Sequence, residues 1–182
     1  MCAVSADLCN IALVGPPAAG KTTLAELLAV RLERTLVDTD AFLVEREGRS
    51  VSRIVEEEGW SGFRQRESNA LEDVLRQFSR NAVIATGGGL VLAKKNRELL
   101  RTHCVVFYLS APAEELARRM AAQALHAQRP SLTGKHPLDE VETVLTERHT
   151  LYMQSAHYVL DATLEPEELC VQTAALLLNA AP

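Results

Sequence analysis

None of the four cysteines, Cys2, Cys9, Cys104 and Cys170, stands in a C-x-x-C pair. That absence removes zinc ribbons and thioredoxin-like redox motifs, and leaves dispersed thiols suited to a reducing compartment. No apolar run approaches the ~20 residues that span a bilayer, and the N-terminus lacks both a basic n-region and a cleavable h-region. The expected location is therefore the cytoplasm. A surplus of positive charge is missing as well: 19 Lys and Arg face 24 Asp and Glu, a net charge of −5. Nucleic acid and membrane surfaces are thus not expected partners, and a small anionic ligand needs a locally basic site. With no internal repeat and no low-complexity linker, the 182 residues, 47% of them hydrophobic, read as one domain, expected to be monomeric. A chain of this length buries about 70% of its unfolded surface.

Five strand-like runs alternate with helical segments: Ile11 to Val14, Thr35 to Val37, Ala82 to Ala85, Cys104 to Leu109 and Tyr158 to Leu160. Such alternation predicts right-handed βαβ units, a parallel sheet with helices on both faces, and ligands at the carboxyl ends of the strands. Between the first strand and a helix over Thr22 to Leu32 lies Gly15-Pro16-Pro17-Ala18-Ala19-Gly20-Lys21-Thr22-Thr23, which fits G-x-x-x-x-G-K-[ST] in its proper strand-then-helix setting. Loop N–H groups and the helix N-terminus surround an anion there, and Gly20 permits close backbone approach. Lys21 then reaches the β- and γ-phosphates while the Thr22 hydroxyl can ligate Mg²⁺. A plain glycine-rich turn with a solvated lysine is the competing reading.

Further groups collect at the other strand ends. Asp38-Thr39-Asp40 puts two carboxylates toward one crevice, one for Mg²⁺ through water and one for an acceptor hydroxyl, unless it serves as a helix N-cap. Thr86-Gly87-Gly88-Gly89 suggests backbone pressed against a ligand rather than a mere flexible turn. The polar helical insert Arg49 to Arg80 carries "GFRQRE", in which Arg64 and Glu67 can pair at i, i+3 and ready the guanidinium for a carboxylate; a surface ion pair is the blander reading. Gln123 to Leu138 is loop-like and long enough for a lid.

Together "GPPAAGKTT", "DTD", "GFRQRE", "ATGGG", "RPSLTGK" and "ERHTLY" resemble the shikimate kinases in order and spacing over essentially the whole chain, most closely the bacterial form with an "RPxLTGK" lid. The resemblance implies a three-layer P-loop NTPase fold like that of nucleoside monophosphate kinases, with a five-stranded parallel sheet, an insert over about 39–80 and a lid over about 123–138. It implies transfer of the γ-phosphoryl of ATP to the 3-hydroxyl of shikimate. Residues Gly15 to Thr23 would serve ATP, Thr22 and Asp38 the metal, and Asp40 the acceptor hydroxyls. Arg64 and Arg148 would grip the shikimate carboxylate, with Glu67 orienting Arg64 and Gly87, Gly88 and Gly89 against the ring. Arg129 would close over the transferring phosphate, and either Arg118 or Arg119 would stack on adenine.

The chain departs from the commoner pattern in five places, one of them a stretch from Arg118 to Arg129 that looks longer than in many members and leaves the adenine-stacking arginine open. Ala18 replaces a phosphate-loop glycine, Trp60 stands where glutamate is frequent, the lid reads Arg-Pro-Ser-Leu, and His149, expected to be solvated, replaces a small residue. None removes a charge that the mechanism needs. The rivals are a gluconate or nucleoside monophosphate kinase, and a nucleotide-binding module without catalysis.

Overall fold

The structure, a computed structural model, describes residues 9–124 and 137–179. Its strands are β1 (Asn10–Val14), β2 (Thr35–Asp38), β3 (Ala82–Ala85), β4 (Cys104–Ser110) and β5 (Tyr158–Asp161), each within a residue of the apolar run that predicts it. They make one sheet in the order β2-β3-β1-β4-β5, and every pairing is parallel. Ile11 of the central strand faces Val83 on one side and Val105 on the other.

Alternation along the strands divides the core. Ile11, Leu13, Val83, Ala85, Phe107 and Leu109 pack on one face against α1 (Lys21–Arg31) and α7 (Pro166–Asn179). Ala12, Val14, Ala82, Ile84, Val106 and Tyr108 pack on the other against α3 (Val51–Gln77), α4 (Lys94–His103) and Tyr152 of α6 (Pro137–Ser155). Helices therefore flank both faces, giving the expected three layers. Neighbouring strands β1 and β3 lead into opposite faces, β1 into α1 and β3 into a 3₁₀ turn at Leu90–Leu92 and then α4. Such a divergence marks their carboxyl ends as the place where a parallel sheet forms a crevice for ligands.

One element is finer than the sequence suggests. The polar insert is one helix only in outline, because Gly59 (φ 69°, ψ 176°) breaks α3 with a backbone conformation that L side chains rarely adopt. Arg66 braces the bend: it grips Glu58 through Nε (2.7 Å) and Nη2 (2.9 Å) and also reaches Glu47 at the end of α2 (Thr39–Glu47). A small apolar cluster of Leu43, Ile54, Phe63 and Ala70 seals α2 against α3. Cys104 and Cys170 are buried free thiols and Cys9 is half-buried.

Candidate functional site

The donor half grows from one junction. β1 ends at Val14, the chain arches through Gly15 to Ala19, and Gly20 in a left-handed conformation caps α1, whose first residue is Lys21. Lys21 Nζ donates to the carbonyls of Gly15 (2.9 Å) and Pro16 (2.7 Å), which holds the ammonium at the mouth of the arch. Ala18, in the middle, has φ 61°, so this alanine occupies a dihedral natural to glycine. Thr23 lies exposed in the first turn of α1. Thr22 Oγ1 donates to Asp38 Oδ2 (3.1 Å), while Asp38 Oδ1 accepts the N–H groups of Asp40 (3.0 Å) and Ala41 (3.1 Å). Asp38 thus caps α2 with one oxygen and faces the Thr22 hydroxyl with the other. A hydroxyl beside a carboxylate is a hard oxygen pair, the donor set that suits Mg²⁺ when phosphates complete the shell.

The acceptor half is assembled from four segments. A Cβ on Gly87 would stand 2.5 Å from Asp40 Oδ1 and 2.8 Å from Glu67 Oε1, and one on Gly89 would overlap the Arg64 guanidinium. The glycines are there because side chains of the insert lie against their backbone. A Cβ on Gly88 would meet Pro17 Cδ at 3.3 Å and the Gly15 carbonyl at 3.5 Å, so the middle glycine abuts the phosphate loop. Asp38 and Asp40 accordingly face adjacent tasks, Asp38 the Thr22 hydroxyl and Asp40 the glycine strip.

Arg64 Nη1 bonds Glu67 Oε2 at 2.7 Å, and its guanidinium lies 5.4 Å from the Trp60 ring and 5.1 Å from the Phe63 ring. Glu67 is only 2% exposed, which rules out a surface ion pair. Burial pushes the Glu67 carboxyl up from its ordinary range against the pull of Arg64, nearby Asp40 adds to the rise, and Arg148 opposes it. Arg148 is buried too, yet its Nη1 has a long bond to the Gly88 carbonyl (3.2 Å) and its Nε has no partner. A buried cation so thinly satisfied suits an anion in the crevice.

Arg118 and Arg119 of α5 (Ala113–Ala124) share Glu115: Arg118 binds it through Nε (2.8 Å) and Nη2 (2.7 Å), Arg119 through Nε (2.6 Å). These bonds hold the Glu115 carboxyl down at about 2. Arg118 is 70% exposed and Arg119 25%. Arg129 and the expected lid at 123–138 lie outside the described residues, apart from the helix ends at 123–124 and 137–138.

Three contributors escape a reading of residue types. Thr39, 2% exposed, accepts the Gly87 N–H through Oγ1 (3.0 Å) and ties the aspartate pair to the glycine strip. His149, expected to be solvated, is exposed yet bonded, with Nδ1 3.1 Å from Tyr108 Oη. Tyr152 donates to the Gly88 carbonyl at 2.6 Å. Its spacing of four from Arg148 on one helix was the available signal.

Comparison with known proteins gives a consistent result. A family model described as shikimate kinase matches residues 17–178. The chain is 48% identical over 168 residues to shikimate kinase 2 of Syntrophotalea carbinolica, covering 92% of this chain and 96% of that one. It is 49% identical over 156 residues to shikimate kinase 2 of Dickeya chrysanthemi, covering 86% and 88%. Among solved structures, a shikimate kinase from Acinetobacter baumannii in complex with shikimate superposes with a TM-score of 0.87 at 34% identity, covering 94% of each chain.

Proposed function

The chain belongs to the shikimate kinase family, and we propose that it transfers the γ-phosphoryl of ATP to the 3-hydroxyl of shikimate, giving shikimate 3-phosphate and ADP, with the residues gathered at the β1–β3 crevice. The observation that carries this assignment is the contact across Gly88: a phosphate loop on one side, and on the other a carboxylate-binding pair of arginines beside Asp40.

Each residue takes a role that its geometry supports. Gly15 to Thr23 wrap the nucleotide phosphates, and Lys21 leaves the Gly15 and Pro16 carbonyls to follow the transferring group. Thr22 and Asp38 offer the oxygens that hold Mg²⁺, which when bound neutralises charge on the phosphates. Arg64, pinned by Glu67 and the two rings, and Arg148, with its spare donors, hold the acceptor carboxylate. Asp40 sits against Gly87 and orients the acceptor hydroxyl; a loose phosphoryl-transfer transition state needs that alignment more than proton removal. Arg129 lies outside the described residues; by the family resemblance it would neutralise the charge that develops on the transferring phosphoryl. Of the two α5 arginines we assign adenine stacking to Arg119, because Arg118 faces bulk water.

The working unit is one domain, residues 1–182, with an acceptor-binding insert at about 39–80. It acts as a monomer on small molecules in the cytoplasm, where ATP is supplied, with neither nucleic acid nor membrane as partner. No helix among the described residues is long and apolar enough to cross a membrane.

ADP release with Mg-ATP, measured across shikimate, gluconate and nucleoside monophosphates, tests the assignment. Release dependent on shikimate supports it; release with gluconate or a nucleotide alone reassigns the acceptor, and none at all leaves a silent binding module.

A further inference from the structure

The Gly88 carbonyl is buried and receives two donors from one face of α6, Tyr152 Oη at 2.6 Å and Arg148 Nη1 at 3.2 Å. The distances rank them. The first is short for O–H···O, and the second lies at the outer limit for N–H···O. Tyr152 is fully buried, and its ring stacks on Tyr108 (5.1 Å, 23°), whose own hydroxyl meets His149. The phenol is therefore aimed, and burial raises its pKa so that it remains a donor. Arg148 has the opposite character: its bond to the carbonyl is long, its buried Nε is unpartnered, and its guanidinium otherwise meets the Tyr152 hydroxyl itself.

We infer that Tyr152 is a positioning residue for acceptor binding: its hydroxyl keeps the buried Gly88 carbonyl satisfied, which frees Arg148 to turn from that carbonyl to the acceptor's carboxylate. The inference rests on the proposal that Arg148 holds the carboxylate. Its physical basis is the asymmetry of buried hydrogen bonds, in which making one gains little and leaving a group unmade costs much more. Without the hydroxyl, every acceptor that recruits Arg148 strands a buried carbonyl. ATP binding recruits no such arginine and carries no such penalty.

Tyr152→Phe keeps the ring stack and removes only the donor. Its KM for shikimate should rise about tenfold, the loss expected for one unmade bond at a buried acceptor, with kcat and the KM for ATP within about twofold of the parent. In an Arg148→Ala background the same change should alter the shikimate KM by less than about twofold, since no arginine is left to release. An unchanged shikimate KM in Tyr152→Phe, an equal loss for ATP, or fully additive effects in the double variant overturns the inference. If Arg148→Ala alone leaves the shikimate KM intact, the carboxylate assignment itself falls; if Arg148→Ala is impaired and Tyr152→Phe is not, only the tyrosine's role falls. The unmodified protein provides a check that needs no variant. In its crystal structure with shikimate, Tyr152 Oη should remain within hydrogen-bond distance of the Gly88 carbonyl while Arg148 has moved off, and an Arg148 still on that carbonyl overturns the inference.

Discussion

The donor and acceptor halves of the crevice are built in opposite ways. The phosphate loop is nine consecutive residues, Gly15 to Thr23, and its main internal bonds run between Lys21 and carbonyls five and six residues back. The acceptor half joins Asp40, Arg64 with Glu67, Gly87 to Gly89, and Arg148 with Tyr152, groups separated by up to 64 residues where they bond. A local site depends on the backbone path through one turn. An assembled site depends on several elements docking at once, so its geometry is as secure as the packing beneath it. Phe63 shows the link, since it belongs to the cluster that seals α2 against α3 and also supports the Arg64 guanidinium.

Substitutions can sharpen that contrast. Lys21→Met should have the largest effect, a loss of about a thousandfold in kcat, because a positioned cation on the transferring phosphoryl acts mainly in the transition state. The melting temperature should stay within about 3 °C of the parent, since the change falls on a half-exposed side chain at the mouth of the loop. ADP-release kinetics and a thermal melt read both, and near-normal turnover in the folded variant excludes the phosphate-loop mechanism. Arg64→Lys comes next. A lysine cannot reproduce the paired donors or lie against two rings at once, so kcat/KM for shikimate should fall by about 2 to 4 kcal/mol with little change for ATP. Equal losses for both substrates would erase the donor–acceptor division.

Smaller changes probe the walls. Gly89→Ala drives a methyl into the Arg64 guanidinium and should raise the shikimate KM on the order of tenfold while sparing ATP, as steady-state kinetics would show. The acceptor half also carries a buried titrating group. Protonating Glu67 removes the carboxylate that pins Arg64, so shikimate binding should weaken about fivefold as pH falls through the raised Glu67 value. The stability effect runs the other way: the native state holds this proton more tightly than the unfolded chain, so the contribution is present at low pH and lost as pH rises through the same value. Shikimate titrations and melts across pH, repeated with Glu67→Gln, should lose both dependences. Ala18→Gly is the mildest. It relieves a left-handed alanine but loosens the unfolded chain, for a net gain below about 1 kcal/mol, and a melt that falls instead would show that the loop needs the methyl group.

Most of the framework was legible in the residues. Short apolar runs marked all five strands to within a residue; the inner strands β1, β3 and β4 are buried on both faces and apolar along nearly all their length, while the edge strands β2 and β5 are short and partly exposed. The phosphate loop was legible because its chemistry is carried by neighbours in the chain. The Gly59 break was hidden, since glycine inside a polar helical segment does not reveal which φ it adopts. Asp38 looked like a choice between cap and metal site, and only the fold showed that each oxygen has its own partner.

Lys21, Thr22, Asp40 and Arg64 could be singled out by type and spacing because charge and hydroxyl chemistry belong to the residue itself, whereas Arg148 came only through the family resemblance. Thr39 could not, and Tyr152 offered only its spacing from Arg148, because threonine and tyrosine are ordinary core residues until a particular backbone group arrives within hydrogen-bond reach. The strand order decides that arrival. By placing β3 between β2 and β1, the sheet brings the glycine strip under α2 and α6 together, so that Gly87 N–H and Gly88 C=O find partners 48 and 64 residues away.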